Sequence, residues 1–266
     1  MKRKACFILK QLRALWRSFK VWWIAILLQS GCSKWRAGDI AVKQIDEAHK
    51  KPTYVAIGAS DTQAAGASSL EKGYVTLLHS YLERSTNRKW RLINVGRSGA
   101  RITDAAQRQL PLALASNPTV VSIWVGGNDV RHRVHPKAFE RLLKWMLLML
   151  HSKSGALILI ANLPEMERQP FAKLLPEPER RFLATQSRTY NAIIERLASE
   201  SGAVLVDLKS VKEMYDERFF CEDGLHPNDL GYERIAQRFI EALAPHLHKI
   251  MLPEGASKRH TSSCAK

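Results

Sequence analysis

Two short segments of this 266-residue chain carry side chains suited to acyl transfer. Ser60 lies in one of them, and in the other Asp223 stands three residues before His226. A serine hydroxyl, an imidazole that accepts its proton and a carboxylate that orients the imidazole are what hydrolysis through a covalent intermediate requires. Because Asp223 stands only three positions before His226, a single turn can hold the carboxylate beside the imidazole. The three residue types therefore predict a serine hydrolase.

Short apolar runs alternate with longer amphipathic segments from residue 53 onward. Runs rich in Val, Ile and Leu are typical of buried strands. The predicted strands cover residues 53–57, 92–95, 119–125, 156–161 and 203–206. The predicted helices cover residues 69–84, 103–115, 136–151, 179–201 and 228–250. This strict alternation predicts an α/β fold, a three-layer α/β/α sandwich around a five-stranded parallel sheet, for which about 210 residues suffice.

The residues that could do chemistry follow the predicted strands. Ser60 comes after the first strand, residues 96–99 after the second and residues 126–129 after the third. Asp223 and His226 come between the fifth strand and the last helix. Ligands of open α/β sheets bind at the carboxyl ends of the strands. We therefore expect the four segments to meet in one crevice.

In this order, the four segments resemble the sequence blocks of the SGNH hydrolases, also called the GDSL esterase and lipase family. The resemblance covers nearly the whole chain after residue 53 and implies a flavodoxin-like fold. It implies that Ser60 is the nucleophile, His226 the base and Asp223 the residue that orients the base. The implied oxyanion hole consists of the backbone N–H groups of Ser60 and Gly99 and the side-chain amide of Asn128. No metal or organic cofactor is implied.

One position departs from the family pattern. The family usually has Gly-Asp-Ser, whereas here Ala59 precedes Ser60 and a carboxylate follows as Asp61. The usual Asp supports the site without belonging to the triad, so we expect altered hydrogen bonding in the loop and unchanged chemistry. We expect Asp61 and Asp129 to serve as turn carboxylates that satisfy their own loop backbone.

A long proline-rich segment, residues 162–178, follows the fourth predicted strand and contains Met166 and Phe171. A long loop at the carboxyl end of a strand is a candidate acyl-binding wall or mobile cover. Ordinary packing of its apolar residues against the sheet edge is the alternative. Lipolytic members of the resembled family carry a comparable loop. The resemblance therefore favours Met166 and Phe171 as substrate-binding residues and an ester with an apolar acyl chain.

The first 50 residues differ from the rest, because they hold half of the formal net charge of +16. A basic stretch, an apolar run at residues 21–28 and small residues after it are the parts of an export signal. The run is shorter than the roughly 20 apolar residues of a spanning helix. We divide the chain into a signal or anchor segment (1–32), a linker (33–52), a hydrolase domain (53–252) and a disordered tail (253–266).

Residues 28–32 resemble the lipobox of bacterial lipoproteins, which implies lipidation at Cys32. The match is incomplete, because Gln29 stands where that family usually has an aliphatic residue. An uncleaved membrane anchor and a buried helix are the alternatives, since Trp22 and Trp23 beside basic residues also suit an interface. Lipidation or an anchor would export the protein and hold it on the membrane through this segment, in the bacterial cell envelope or at the cell surface.

Other candidate sites have simpler explanations. Four scattered cysteines do not fit a disulfide scaffold or a zinc site. Cys221 could pair with Cys264 in an exported domain or remain a buried thiol. His132 and His135 have no third ligand nearby, so we predict no metal site. The basic residues beyond the first 50 form no nucleic-acid motif, so anionic lipids or envelope polymers are better partners than nucleic acid.

The sequence thus predicts an exported serine esterase or lipase that forms an acyl-enzyme on Ser60. Its substrate would be a small-molecule or lipid ester with an apolar acyl group. A deacetylase of cell-envelope polysaccharide would use the same four segments. A membrane-tethered binding protein that retains the fold without catalysis is the alternative from another class.

Overall fold

Five apolar segments pair into one parallel sheet in the computed structural model, which describes residues 51–251. The strands are β1 (Thr53–Gly58), β2 (Arg91–Asn94), β3 (Val120–Trp124), β4 (Leu157–Ala161) and β5 (Val204–Val206). They lie in the order β2-β1-β3-β4-β5, and every neighbouring pair is parallel. The three central strands β1, β3 and β4 are almost entirely buried, which explains why their sequences are continuous apolar runs.

Helices cover both faces of this sheet. They are α1 (Tyr74–Thr86), α2 (Ile102–Asp104), α3 (Leu110–Ala115), α4 (Gly127–Arg131), α5 (Pro136–Ser154), α6 (Glu177–Ser201), α7 (Asp229–Leu243) and α8 (Leu247–Met251). Helix α1 packs against α7, while α5 packs against α2, α3 and α6. Since crossovers between parallel strands are right-handed, the reversal of direction after β2 places these two groups on opposite faces. The predicted three-layer sandwich is confirmed.

One aromatic pair on each face joins the packed helices. Tyr74 of α1 stacks on Phe239 of α7 with ring centroids 4.8 Å apart. Phe139 of α5 contacts Tyr190 of α6 at 4.3 Å. All four side chains are fully buried, and each burial contributes about 1.5–3 kcal/mol. These contacts hold the two helical layers against the sheet and leave the carboxyl edge of the strands to the loops.

Two predicted helices differ from the observed helices by more than three residues at one end. The helix predicted at 69–84 begins at Tyr74, because Gly73 has extended backbone and separates it from a 3-10 turn at Leu70–Lys72. The helix predicted at 228–250 ends at Leu243. Pro245, which lacks a backbone donor, lies in the 3-10 turn that follows.

Several predictions fall outside the described residues. They are the signal or anchor segment, Cys32, Cys264, most of the linker and the tail from residue 253. Within residues 51–251, no helix combines the length and the apolar character needed to cross a membrane.

Candidate active site

Ser60 lies just beyond the carboxyl end of β1, where the chain turns sharply. The residue caps the 3-10 turn Asp61–Gln63, and its carbonyl accepts hydrogen bonds from the N–H groups of Gln63 and Ala65, both at 3.0 Å. This double acceptance fixes the turn. Only 8% of Ser60 is exposed, so its hydroxyl is held within the protein surface and not on a mobile tip.

The structure brings Ser60, His226 and Asp223 into one chain of hydrogen bonds. Nε2 of His226 lies 3.0 Å from Oγ of Ser60. Nδ1 of His226 lies 2.6 Å from Oδ2 of Asp223. The hydroxyl, imidazole and carboxylate are therefore in the order that proton transfer from the serine requires.

A tight turn places Asp223 and His226 on the same side of their loop. The Cys221 N–H donates to the carbonyl of His226, and the Gly224 N–H donates to the carbonyl of Cys221, each at 2.9 Å. Immediately after the turn, Asn228 caps α7 by accepting from the Gly231 N–H at 3.1 Å. The turn is thus closed by its own backbone and anchored to the helix that follows.

Three donors converge on Oδ1 of Asp223. They are the N–H groups of Leu225 (2.8 Å) and His226 (2.9 Å) and the thiol of Cys221 (3.1 Å). Burial raises the pKa of Asp223, but the hydrogen bonds outweigh it and hold the pKa well below its usual range. An ionised Asp223 accepts Nδ1–H from a neutral imidazole, which leaves Nε2 free to accept the proton of Ser60.

The segments implied in the oxyanion hole lie next to each other. Asn128, in the first turn of α4, donates from Nδ2 to the carbonyl of Ala100 at 3.1 Å. Asn128 and Ala100 line the cavity beside Ser60, whereas Gly99 is exposed and does not line it. Gly99 has φ +73°, a backbone conformation that favours glycine, and a Cβ added there would meet no neighbouring atom. Glycine is therefore favoured at this position by the backbone conformation and not by crowding.

A cavity of about 70 Å³ opens beside the Ser60 hydroxyl. One part of its wall is apolar and is formed by Trp124, Val125, Leu163, Pro164, Met166, Met214 and Leu225. Another part is polar and includes Asp61, Asn128, Arg131 and Gln169. Met166 therefore lies where a substrate-binding residue was predicted. Phe171 lies outside this lining and instead donates its N–H to the carbonyl of Gly224 at 2.9 Å.

The proline-rich segment is largely folded against the domain. It contains the 3-10 turns Met166–Arg168 and Pro170–Leu174. The side chain of Asn191 binds both the N–H and the carbonyl of Leu163 at 2.8 Å, which fixes the start of the segment. Leu174 is 90% exposed, while Met166 is buried. Met166 thus forms part of the cavity wall, while Ala172 of the same segment is buried in the core.

Two further carboxylates near the site differ in their surroundings. Asp129 is fully buried, and both of its oxygens accept from the Ile102 N–H at 3.0 Å. Burial raises the pKa of Asp129 to about 6. Asp61 lines the cavity, where burial raises its pKa and attraction to His226 lowers it. Asp129 therefore accepts a hydrogen bond from its own backbone, as expected, and also from the backbone of Ile102 in another loop. Sequence patterns gave no sign that Asp61 faces the cavity.

Solved structures with a similar fold include esterases. The structure of TesA is 24% identical, with a TM-score of 0.60 over 73% of this chain and 98% of TesA. The psychrotrophic esterase EstA from Pseudoalteromonas sp. is 20% identical, with a TM-score of 0.60 over 74% and 100%. The acetyl xylan esterase AlAXEase is 25% identical, with a TM-score of 0.58 over 72% and 99%. No curated protein matches the chain.

The family to which the chain belongs follows from its sequence together with this fold. The model of the GDSL-like Lipase/Acylhydrolase family matches residues 56–234, which is more than half of the chain and includes all four segments of the site. Together with the esterase folds, this match supports a carboxylic ester hydrolase. The chain is a member of the GDSL-like lipase and acylhydrolase family, that is, of the SGNH hydrolases.

Proposed function

We propose that this hydrolase cleaves esters through an acyl-enzyme on Ser60 and that it prefers a short apolar acyl group. The observation that carries the proposal is the unbroken hydrogen-bond chain from Asp223 through His226 to Ser60 at the edge of a cavity with an apolar wall.

In the first step, Nε2 of His226 takes the proton of Ser60 as Oγ attacks the carbonyl carbon of the ester. Asp223, whose carboxylate remains ionised, stabilises the imidazolium that forms. The C–O bond to the alcohol then breaks, and the alcohol leaves with the proton from His226. In the second step, water attacks the acyl-enzyme, His226 takes a proton from the water, and Ser60 regains its hydrogen as the acid departs.

The developing oxyanion would be stabilised by donors from two segments. We assign this role to the backbone N–H of Ser60, a backbone N–H of the loop at Gly99 and Nδ2 of Asn128. The amide of Asn128, which donates to the carbonyl of Ala100, already lies beside Ser60 in the cavity wall. Each such donor is typically worth 10²- to 10³-fold in rate.

The cavity argues for a small acyl group. A volume of about 70 Å³ is far below the roughly 300–1,000 Å³ of pockets that enclose drug-sized ligands. Its apolar wall favours a chain of a few carbons over acetyl, because each buried CH₂ contributes about 0.8 kcal/mol. Two further CH₂ groups, as in butyryl, would therefore raise kcat/KM by roughly tenfold.

A second candidate is an O-deacetylase of carbohydrate. The small cavity would also hold an acetyl group, and one similar fold is that of an acetyl xylan esterase. The polar side chains of Asp61, Asn128 and Gln169 at the cavity could bind sugar hydroxyls.

A substrate screen distinguishes the two candidates. Initial rates are measured on 4-nitrophenyl acetate, butyrate and octanoate and on acetylated xylan, with wild type and Ser60→Ala. We expect a maximum at butyrate and loss of at least about 10³-fold in Ser60→Ala. A strong preference for acetylated xylan would instead establish the deacetylase.

Covalent labelling tests the nucleophile separately. A fluorophosphonate should label wild type but not Ser60→Ala. The matched control is Ser152→Ala, which removes an exposed serine of α5 and should be labelled like wild type. Failure to label folded wild type would favour the non-catalytic binding protein.

We also propose that the enzyme is exported and held on the membrane by its first 32 residues, through lipidation of Cys32 or an uncleaved anchor. The basic and apolar composition of these residues supports this location. Mass spectrometry of the mature amino terminus should find a diacylated Cys32 or an intact segment. A soluble product cleaved without lipid would contradict both forms of anchoring.

A further inference from the structure

We propose that the turn carrying the triad acid and base is also an inhibitory zinc site, formed by Cys221, Asp223 and His226. Bound there, Zn²⁺ would occupy the carboxylate and the ring nitrogen whose hydrogen bond orients the base for Ser60. Metal binding itself does not depend on the proposed function, whereas inhibition rests on it.

Three different ligand atoms converge on this turn. Sγ of Cys221, a carboxylate oxygen of Asp223 and a ring nitrogen of His226 all lie within 4.8 Å of one another. Sγ is 3.1 Å from Oδ1 of Asp223, and Nδ1 of His226 is 2.6 Å from Oδ2. All three atoms come from six consecutive residues whose backbone is closed by its own hydrogen bonds.

The spacing is close to that of a tetrahedral zinc site. Bonds of about 2.3 Å to sulfur and about 2.0 Å to nitrogen and oxygen place the ligand atoms roughly 3.3–3.5 Å apart. The two short distances involve different oxygens of Asp223, so its carboxylate would bind through both oxygens or rotate. The Asp223–His226 pair would have to open by about 0.7 Å and the Cys221–Asp223 pair by about 0.4 Å, while the most distant pair of ligand atoms, at no more than 4.8 Å, would close by up to about 1.3 Å. Side-chain rotation supplies such shifts, but the pair can no longer share a proton.

Solvent exposure lets a metal ion reach the site, and the ligand atoms of the site favour zinc over magnesium and calcium. The side chain of Asp223 is 46% exposed and that of His226 is 22% exposed, so water can supply the fourth ligand. A thiolate and an imidazole suit zinc, whereas magnesium and calcium prefer oxygen ligands. On binding, the thiol proton of Cys221 passes to solvent, while the proton of His226 moves from Nδ1 to Nε2, so the imidazole stays neutral but can no longer accept the proton of Ser60.

Cys221→Ser tests the proposal, because serine keeps a hydrogen-bond donor to Asp223 but replaces the preferred zinc ligand. The full-length chain, held reduced, is assayed with Zn²⁺ and with Mg²⁺. We expect zinc to inhibit wild type, magnesium to leave it active, and the zinc concentration for half inhibition to rise at least about tenfold in Cys221→Ser. The matched control is Cys264→Ser, which changes a cysteine outside the described residues. Zinc should inhibit this control like wild type.

Cobalt absorption gives a readout that does not need activity. Co²⁺ bound to the Ser60→Ala variant should produce a thiolate charge-transfer band. The band should be absent in the double variant that carries both Ser60→Ala and Cys221→Ser. Equal zinc inhibition of wild type and Cys221→Ser, or a cobalt spectrum that Cys221→Ser leaves unchanged, would overturn the zinc site. If no ester is hydrolysed, the cobalt band alone decides, so failure of the proposed function remains distinguishable.

Discussion

Asp223 uses both carboxylate oxygens, and each has a different task. Oδ1 receives three donors from its own turn, which leaves Oδ2 directed at Nδ1 of His226. A side chain held by several hydrogen bonds loses its alternative rotamers, so the imidazole is oriented before substrate arrives. This arrangement makes the identity of the residue at position 223 more important than its half-exposed location suggests.

Asp223→Asn should therefore lower kcat by about 10³- to 10⁴-fold, because an amide cannot hold His226 in the tautomer that accepts the Ser60 proton. Glu222→Gln is the matched control, since Glu222 is an exposed acid on the same turn. Steady-state kinetics on a short-chain ester measure both variants. Retention of a tenth of wild-type kcat by Asp223→Asn would show that Asp223 is not the orienting acid.

At this scale, the sequence predicted which residues meet but not all of their surroundings. The sequence predicted that Ser60, Asp223 and His226 lie close together, because each of them follows a predicted strand and the carboxyl ends of parallel strands share one edge of the sheet. The thiol of Cys221 beside Asp223 depends on side-chain rotamers within one turn, which no pattern encodes. The same is true of Asp61, whose place in the cavity wall depends on the direction of the turn after Ser60.

A glutamine amide anchors the end of the strand that carries Ser60. Oε1 of Gln109 accepts from the Gly58 N–H, and its Nε2 donates to the Gly58 carbonyl, both at 2.9 Å. Gln109 is fully buried in a π-helical turn, Ala105–Gln109, between α2 and α3. The side chain thus satisfies strand backbone two residues before Ser60, where the sheet ladder ends.

Gln109→Ala should lower the free energy of unfolding by about 1–3 kcal/mol, because it leaves the buried Gly58 N–H without its acceptor. Activity should fall as well, since the start of the Ser60 turn is no longer held. Gln107→Ala, at an exposed position of the same π-helical turn, should behave like wild type. Urea unfolding and ester hydrolysis test this, and equal stability of the two variants would show that the contact contributes nothing.

The loop after β1 also passes close to the base, at Gly66. This glycine has φ +90°, and a Cβ there would lie 2.6 Å from the carbonyl oxygen of Pro227 and 2.9 Å from Cβ of His226. Gly202 has a similar backbone, with φ +70°, but open space around it. The two positions thus separate the effect of crowding from the effect of backbone strain.

Gly66→Ala should combine roughly 1 kcal/mol of backbone strain with displacement of His226, so that kcat falls at least about tenfold. Gly202→Ala should show the strain alone, as a lower melting temperature with unchanged kcat. Thermal unfolding and steady-state kinetics distinguish these effects. A Gly66→Ala enzyme with wild-type kcat would mean that His226 can move aside without cost.

The elements themselves were mostly predictable. All five strands occur within two residues of the predicted ends, because buried parallel strands are uninterrupted apolar runs. The errors lie at Gly73 and Pro245, where amphipathic spacing continues although the backbone cannot. The π-helical turn that carries Gln109 was not foreseen, since apolar periodicity hardly distinguishes it from an α-helix.

For the molecule as a whole, strand order explains why one site forms. The chain reverses direction between β2 and β3, so β1 and β3 become neighbours and their following loops diverge. Ligand crevices of open sheets form at such a switch point. The fold class predicted this edge as the site, but the cavity volume depends on how the proline-rich segment packs, which fold class does not determine.

The buried Asp129 links the site to the pH dependence of overall stability. Its pKa is raised to about 6 in the folded protein, against about 3.9 in an unfolded chain. Between these values the folded state binds more protons than the unfolded state. The stability contributed by protonated Asp129 is therefore fully present below about pH 4 and is lost as pH rises through about 6.

Replacing Asp129 by Asn should remove this dependence, because an amide still accepts from the Ile102 N–H but does not ionise. The free energy of unfolding of wild type, relative to Asp129→Asn, should decrease by about 2 kcal/mol between pH 4 and pH 7. Asp216→Asn provides a control whose own effect has the opposite sign and lies below pH 4, so its difference from wild type should stay constant between pH 4 and pH 7. The Arg218 side chain lowers the pKa of Asp216 to about 2, so this pair stabilises the fold above about pH 4 and stops doing so as pH falls through about 2. Urea unfolding at each pH gives both differences. A difference between wild type and Asp129→Asn that stays constant from pH 4 to pH 7 would mean that Asp129 is ionised throughout, and that the contact with Ile102 stabilises its charge despite complete burial.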